Sequence, residues 1–213
     1  MGQFFSTLIA GVTAFVATNL DDLVILLLFF ARINSTFRPH HIVSGQYLGF
    51  TVLVLLSLPG FFGGLLISKP WIGLLGLLPI AIGVHEFLSQ EEPKDGEELP
   101  QAPPSLSVIG KLLGLFTPQT YQVAAVTIAN GGDNIGVYIS LFAGLSLPQL
   151  GLILGVFGIG VGCWCYLAQQ LATHPVMATL LMGYGKKAVP YVLIGLGIYI
   201  LVENGSYRLF YRP

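Results

Sequence analysis

Two apolar runs in this chain, each long enough to cross a bilayer, carry acid near the middle. Asn19-Leu20-Asp21-Asp22 lies inside a run from about Phe4 to Ala31, and Asn130-Gly131-Gly132-Asp133-Asn134 inside another from about Gln119 to Leu145. A helical crossing needs roughly 20 apolar residues. An aspartate at the bilayer centre costs on the order of 3 kcal/mol on insertion scales. Acid placed at the same depth twice, against that cost, predicts a polar site buried at the membrane midplane.

Composition agrees. Hydrophobic residues make up 54% of the chain and charged residues 9%, against about 25% charged in soluble domains. The chain is therefore read as an integral membrane protein. Its net charge of -1 conceals a crowd of acids (Glu91, Glu92, Asp95, Glu97 and Glu98) in one loop, with Glu86 and Glu203 near helix ends. Asp21, Asp22 and Asp133 are left as the acids deep in apolar sequence. No basic run points to nucleic acid. The N-terminal Met1-Gly2-Gln3-Phe4-Phe5-Ser6 has no cationic region or small-residue cleavage site, so a removable signal peptide is not expected.

The fold class expected is an all-α membrane protein of six transmembrane helices, drawn at about 4–31, 42–67, 71–88, 119–145, 148–172 and 189–204. Continuous apolar runs of this length do not suit strands. Residues 1–88 form a first three-helix repeat. Residues 89–116 form an acidic, Pro-rich linker with a candidate interfacial helix at Ser107 to Phe116, and 117–213 a second repeat with a C-terminal tail. An offset of 111 places Asn19 on Asn130 and Asp22 on Asp133; at nearby offsets Gly45 falls on Gly155 and Gly83 on Gly197. A unit with an odd number of spans enters the membrane in the opposite sense the second time, so the halves form an inverted 3+3 repeat. Such repeats, with a polar site between them, characterise secondary transporters. Arg32, Arg38, Lys94, Lys111, Lys186 and Lys187 fall on one side of the drawn topology, and Lys69, Arg208 and Arg212 on the other. The excess predicts both termini outside and the linker in the cytoplasm.

Residues three or four apart share a helix face, which aligns Asn19 with Asp22, and Asn130 with Asp133 and Asn134. Thr18 joins Asp21 and Asp22 by the same spacing. Their oxygens and three negative charges suit a divalent cation, and Gly131-Gly132 weakens its helix and exposes carbonyls that complete the coordination. Asn also serves as packing glue between helices, but glue does not explain three carboxylates whose burial without a cation or proton is costly. Metal binding at such a site is expected to release protons, the physical basis for antiport. Asp22 and Asp133 hold matching positions and are read as paired ligands; Asp21, matched by Gly132, projects about 100° away.

Other motifs are read as structural. Gly45-x-x-x-Gly49, Gly151-x-x-x-Gly155 and Gly158-x-x-x-Gly162 permit close helix contact, and Pro59 and Pro79 interrupt spans two and three. Cys163 and Cys165 sit about 200° apart around a helix, so they neither pair nor share a site. His40, His41 and His174 are expected in solvated loops, and His85-Glu86 ends span three. No phosphate-binding Gly-x-x-x-x-Gly-Lys-Ser/Thr sequence occurs, so transport would be gradient-driven. The chain is not expected to be an enzyme or to carry a cofactor.

Asn19-Leu20-Asp21-Asp22 in the first span, Asn130-Gly131-Gly132-Asp133-Asn134 in the fourth and the polar mid-chain linker resemble the CadD-type cadmium resistance transporters, within the LysE superfamily. The similarity runs from Phe4 to about Glu203. It implies an exporter of heavy-metal cations in a bacterial inner membrane, with Asn19, Asp21, Asp22, Asn130, Asp133 and Asn134 as the matching metal-site positions. An oxygen-rich cage prefers hard cations such as Mn²⁺ or Ca²⁺, whereas the resemblance implies softer Cd²⁺. The partners expected are a divalent ion as transported substrate, protons as coupling ion and the lipid bilayer, and an oligomer is compatible with the sequence. Alternatives are an amino-acid exporter of the same superfamily, which would want a deep Lys or Arg, a membrane thiol–disulfide carrier, and a channel.

Overall fold

The computed structural model describes residues 2–89 and 116–209, with 175–183 and 186 as backbone alone. Within these residues the chain is all-helical. In order come α1 (Gly2–Thr18), α2 (Leu20–Ala31), α3 (Pro39–Leu66), α4 (Lys69–Gly73), a 3-10 turn (Leu74–Gly76) and α5 (Leu77–Leu88). After the linker follow α6 (Pro118–Asn130), α7 (Gly132–Ala143), α8 (Leu147–Leu171), α9 (Pro175–Glu203) and a closing 3-10 turn (Ser206–Leu209). Among the described residues Pro39–Leu66, Lys69–Leu88 and Leu147–Leu171 are long and apolar enough to cross a membrane, and α1 with α2, bent by 53°, is so as a pair, which makes a fourth candidate if the pair is one span. Apart from their outermost residues, the acidic linker and the interfacial helix expected at 107–116 lie outside the described residues.

Local sequence accounts for several helix starts. Thr117 caps α6, its hydroxyl accepting the Thr120 N–H at 3.4 Å, with Pro118 in the first turn. Ser146 and Gln149 form a capping box on α8, the Ser146 N–H reaching Gln149 Oε1 at 2.9 Å. His41, expected in a solvated loop, is buried instead: its Nδ1 accepts the Arg38 N–H at 3.1 Å and closes the start of α3. Pro79 interrupts the third span as a change of helix type, standing just after the 3-10 turn. It offers no N–H to the Leu75 carbonyl four residues back, and the Ser140 hydroxyl, shared with Gly136, approaches that oxygen at 2.8 Å. Pro59 lies inside α3, which runs on as one helix.

The packing follows a simple plan. α3 lies along α6 and α7, α8 lies along α1 and α2, and α5 lies along α9. Close approach between α3 and α6 rests on missing side chains. A Cβ at Gly45 would stand 2.5 Å from Val123 Cβ, and one at Gly49 would stand 2.7 Å from Thr127 Cβ. Gly45-x-x-x-Gly49 is thus a contact surface, as its spacing predicts. In span five Gly162 does the same, a Cβ there standing 2.9 Å from the Tyr47 hydroxyl of α3, but nothing lies within 4 Å of a Cβ at Gly151, Gly155 or Gly158. The physical reason is the face α8 buries, which carries Leu150, Ile153, Phe157, Val161, Cys165 and Ala168 and turns those glycines outward.

An aromatic cluster ties the two sides together. Phe157 of α8 packs on Tyr138 of α7 with ring centroids 4.8 Å apart, on Phe50 of α3 at 5.7 Å and on Phe15 of α1 at 5.8 Å. Tyr47 of α3 also reaches α8, its hydroxyl donating to the Gly158 carbonyl at 2.8 Å.

Candidate cation site at two broken helices

Both acid-bearing runs are broken helices, not the single spans drawn from sequence. The first breaks at Asn19 (φ -108°, ψ 14°), where α1 and α2 meet at 53°. The second breaks at Gly131 (φ -87°, ψ 22°). Neither φ demands glycine. A Cβ at Gly131 would meet the Leu53 side chain of α3, which would have to move aside.

Asn19 has no such neighbouring glycine, and its bend is held by side chains from the second half of the chain. Trp164 Nε1 donates to the Asn19 carbonyl at 2.7 Å, and Asn19 Nδ2 donates to Phe15 O and to the Tyr138 hydroxyl, each at 2.8 Å. Proton accounting orders this cluster. The Thr18 hydroxyl gives its proton to Ala14 O at 2.9 Å, so it accepts from Tyr138 at 2.8 Å, leaving the Tyr138 oxygen to accept from Asn19.

Asp22, one turn beyond the bend, is 1% exposed. Its Oδ1 accepts from Asn130 Nδ2 at 2.8 Å and its Oδ2 from Gln46 Nε2 at 3.1 Å. Gln46 Oε1 in turn accepts from the Thr127 hydroxyl at 2.7 Å. One carboxylate from the first broken helix is thereby joined to the second broken helix and to α3. Two amide donors offset part of the cost of its desolvation.

The remaining sequence-predicted residues gather around this centre in unequal ways. Asp21 is exposed, on a neighbouring face of α2. Asp133 is also exposed, with its carboxylate against the backbone N–H groups of Asp133 and Asn134 in the first turn of α7, where a helix N-terminus favours negative charge. Asp21 and Asp133 both lie within electrostatic reach of Asp22 and of each other. Asn19 and Asn134 are buried, and among the described residues Asn19 Oδ1 and Asn134 Nδ2 have no hydrogen-bond partner. No three of His, Cys, Asp and Glu close on one point among the described residues. A cation held here would draw on amide and backbone oxygens as well as carboxylates.

Four residues of this centre escape a reading based on the repeat: Gln46, Thr127, Tyr138 and Trp164. Gln46 did leave a signal, being the one amide side chain in the apolar run 42–67. Thr127 lies three residues before Asn130, on its face. The cysteines are as expected: both are free, Cys163 exposed and Cys165 buried, on opposed faces of α8.

Long apolar helices, two of them broken around a buried carboxylate, define an integral membrane protein with a polar centre. The chain belongs to the cadmium resistance transporter family, whose model matches residues 15–212. The match takes in both helix breaks. No curated protein and no solved structure matches the chain.

Proposed function

We propose that this transporter exports a divalent cation of the Cd²⁺ class in exchange for protons, from a site between the two helix breaks near the membrane midplane. The observation that carries the reading is Asp22, buried and shared between the broken helices through Asn130. The buried Asn19 Oδ1, which has no donor among the described residues, offers a further oxygen. Asn19, Asp21, Asp22, Asn130, Asp133 and Asn134 form the proposed cation site. A carboxylate there is tolerable with a proton, a cation or amide donors, so cation and proton compete for one place. That competition is what antiport requires.

Six spans as an inverted 3+3 repeat complete the reading, and three relationships support it. The first span packs on the fifth and the fourth on the second, while the third and sixth pack on each other, as an exchange of halves demands. Tyr47 bonds to Gly158, its own counterpart at the offset of 111, and such counterparts touch only close to the axis that relates them. At an offset of 114, a Cβ on Gly83 would meet the Pro190 carbonyl and Ile194, and a Cβ on Gly197 would meet the Gly76 carbonyl and Ile80. These are the same contacts with the halves exchanged. Such repeats rocking about a central site give alternating access, and a bacterial inner membrane is the setting proposed.

The test is flux in proteoliposomes across a panel of divalent ions, with and without a pH gradient. Cd²⁺ movement driven by an imposed proton gradient, with a matching proton counterflow, is the result expected. Cd²⁺ flux indifferent to the gradient would make the protein a channel, and amino-acid flux alone would make it an exporter of the other class.

A further inference from the structure

Asp22 is capped in a way that cannot persist when a cation arrives. An ionised carboxylate oxygen only accepts hydrogen bonds, so Asn130 and Gln46 both turn their NH₂ groups toward it. An amide NH₂ has no lone pair to offer a metal, whereas the amide oxygen is an ordinary ligand for a divalent cation. Gln46 is buried at 3% exposure, so its rotation must leave no polar atom stranded. The structure contains the means to satisfy it both ways.

Thr127 is that means. Its hydroxyl has one proton and two acceptors in reach, Gln46 Oε1 at 2.7 Å and its own helix's Val123 carbonyl at 3.1 Å. With Gln46 as found, the proton goes to Oε1. If the amide turns by half a revolution about its last torsion, a soft and roughly two-fold rotation, Nε2 faces Thr127. The hydroxyl then accepts from Nε2 and sends its proton to Val123. Every donor and acceptor stays paired, and the Gln46 oxygen now faces Asp22.

We infer that Gln46 is a further ligand of the transported cation, capping Asp22 through Nε2 when the site is empty and turning Oε1 to the cation when it is filled, with Thr127 as the two-way hydrogen-bond partner. The inference rests on the reading that the Asp22 cluster binds the transported cation, and it deepens that reading with an asymmetric ligand. The position matched to Gln46 at the repeat offset is Phe157, so the second half supplies no equivalent amide.

The test is Cd²⁺ binding to the full chain in nanodiscs, by calorimetry and by infrared difference spectroscopy with ¹³C-labelled glutamine. The unchanged chain should show a Cd²⁺-induced shift of a glutamine carbonyl band that is absent in Gln46→Leu. Gln46→Leu should bind Cd²⁺ at least about tenfold more weakly. Gln46→Glu, which offers oxygen but no donor, should recover binding and release an extra proton, and Thr127→Ser should behave as the parent. Because a donor cap alone would be lost equally in Leu and Glu, recovery by Glu separates a ligand from a cap. Parental affinity in Gln46→Leu, or a silent glutamine band in the unchanged chain, overturns the inference. Should Gln46→Leu fail to fold, the labelled parent compared with Gln46→Glu decides the band. Asp22→Asn runs in parallel: if the parent binds Cd²⁺, Asp22→Asn does not and Gln46→Leu does, this inference alone fails. If the parent does not bind Cd²⁺, the reading of the site falls with it.

Discussion

Asn130 and Asp22 stand 108 residues apart in sequence and 2.8 Å apart in space, amide nitrogen to carboxylate oxygen. Each belongs to a motif of the same kind, one before and one after its helix break. Their bond puts the two motifs in one site, but not as mirror images. Asp22 is buried with two amide donors, while Asp133 is exposed at the start of α7. The two acids lie within electrostatic reach of each other in unlike surroundings.

Removing the charge of Asp22 should therefore be the most damaging change in the chain. Asp22→Asn and Asp133→Asn are both expected to abolish Cd²⁺ resistance in cells. Asp21→Asn should keep measurable Cd²⁺ binding while weakening pH-driven exchange. Growth on Cd²⁺ and calorimetry on the purified variants check this. Complete loss of binding in Asp21→Asn would place all three carboxylates in a single cage.

Proton release should accompany binding. A cation entering a carboxylate site displaces the protons that compete for it, so Cd²⁺ affinity is expected to rise with pH. Titrations in buffers of different ionisation enthalpy should report on the order of one proton per cation, a release that disappears in Asp22→Asn. No release at any pH between about 5 and 8, where buried carboxylates titrate, would leave exchange without a mechanism.

The glycines of α5 and α9 offer a matched pair of perturbations. Gly83→Ala places a methyl group 2.8 Å from the Pro190 carbonyl, and Gly197→Ala places one 2.5 Å from Ile80 Cγ1. Overpacking of this kind costs roughly 1–3 kcal/mol, so both variants should melt earlier in detergent, by similar amounts. Gly155→Ala, with nothing within 4 Å, should melt as the parent does.

Tyr138→Phe deletes a hydroxyl that connects Thr18 to Asn19. The expected loss is about 1–3 kcal/mol of stability, the cost of leaving buried groups short of a partner. Chemical denaturation in detergent measures it, alongside a fall in Cd²⁺ affinity as Asn19 loses its orientation. Replacing Cys163 and Cys165 together by Ser should leave export intact. Lost activity there would revive a thiol mechanism.

The sequence makes the centre visible through acid in apolar runs, and the close face of α3 visible through Gly45 and Gly49. It hides the break at Asn19, because no glycine or proline stands there and the bend depends on Trp164 and Tyr138. Gln46 stands out as the one amide in the run 42–67, but a search guided by repetition passes over a residue whose counterpart at the offset of 111 is Phe157. In α8 the spacing of Gly151 and Gly155 suggests a contact that the structure does not make. Spacing reports what a helix face permits, and the buried stripe from Leu150 to Ala168 decides which face is used.

The fastening of the first bend also sets an order of assembly. Asn19 leaves the ribosome more than a hundred residues ahead of Tyr138 and Trp164, the two side chains that grip it. Until they arrive, Gly2 to Ala31 has no reason to bend and is expected to enter the bilayer as a straight helix. The proposed cation site would then be finished late, when newly made segments close on an older one already in the membrane. A chain stopped before residue 164 would carry all three acids of the proposed site and lack its shape.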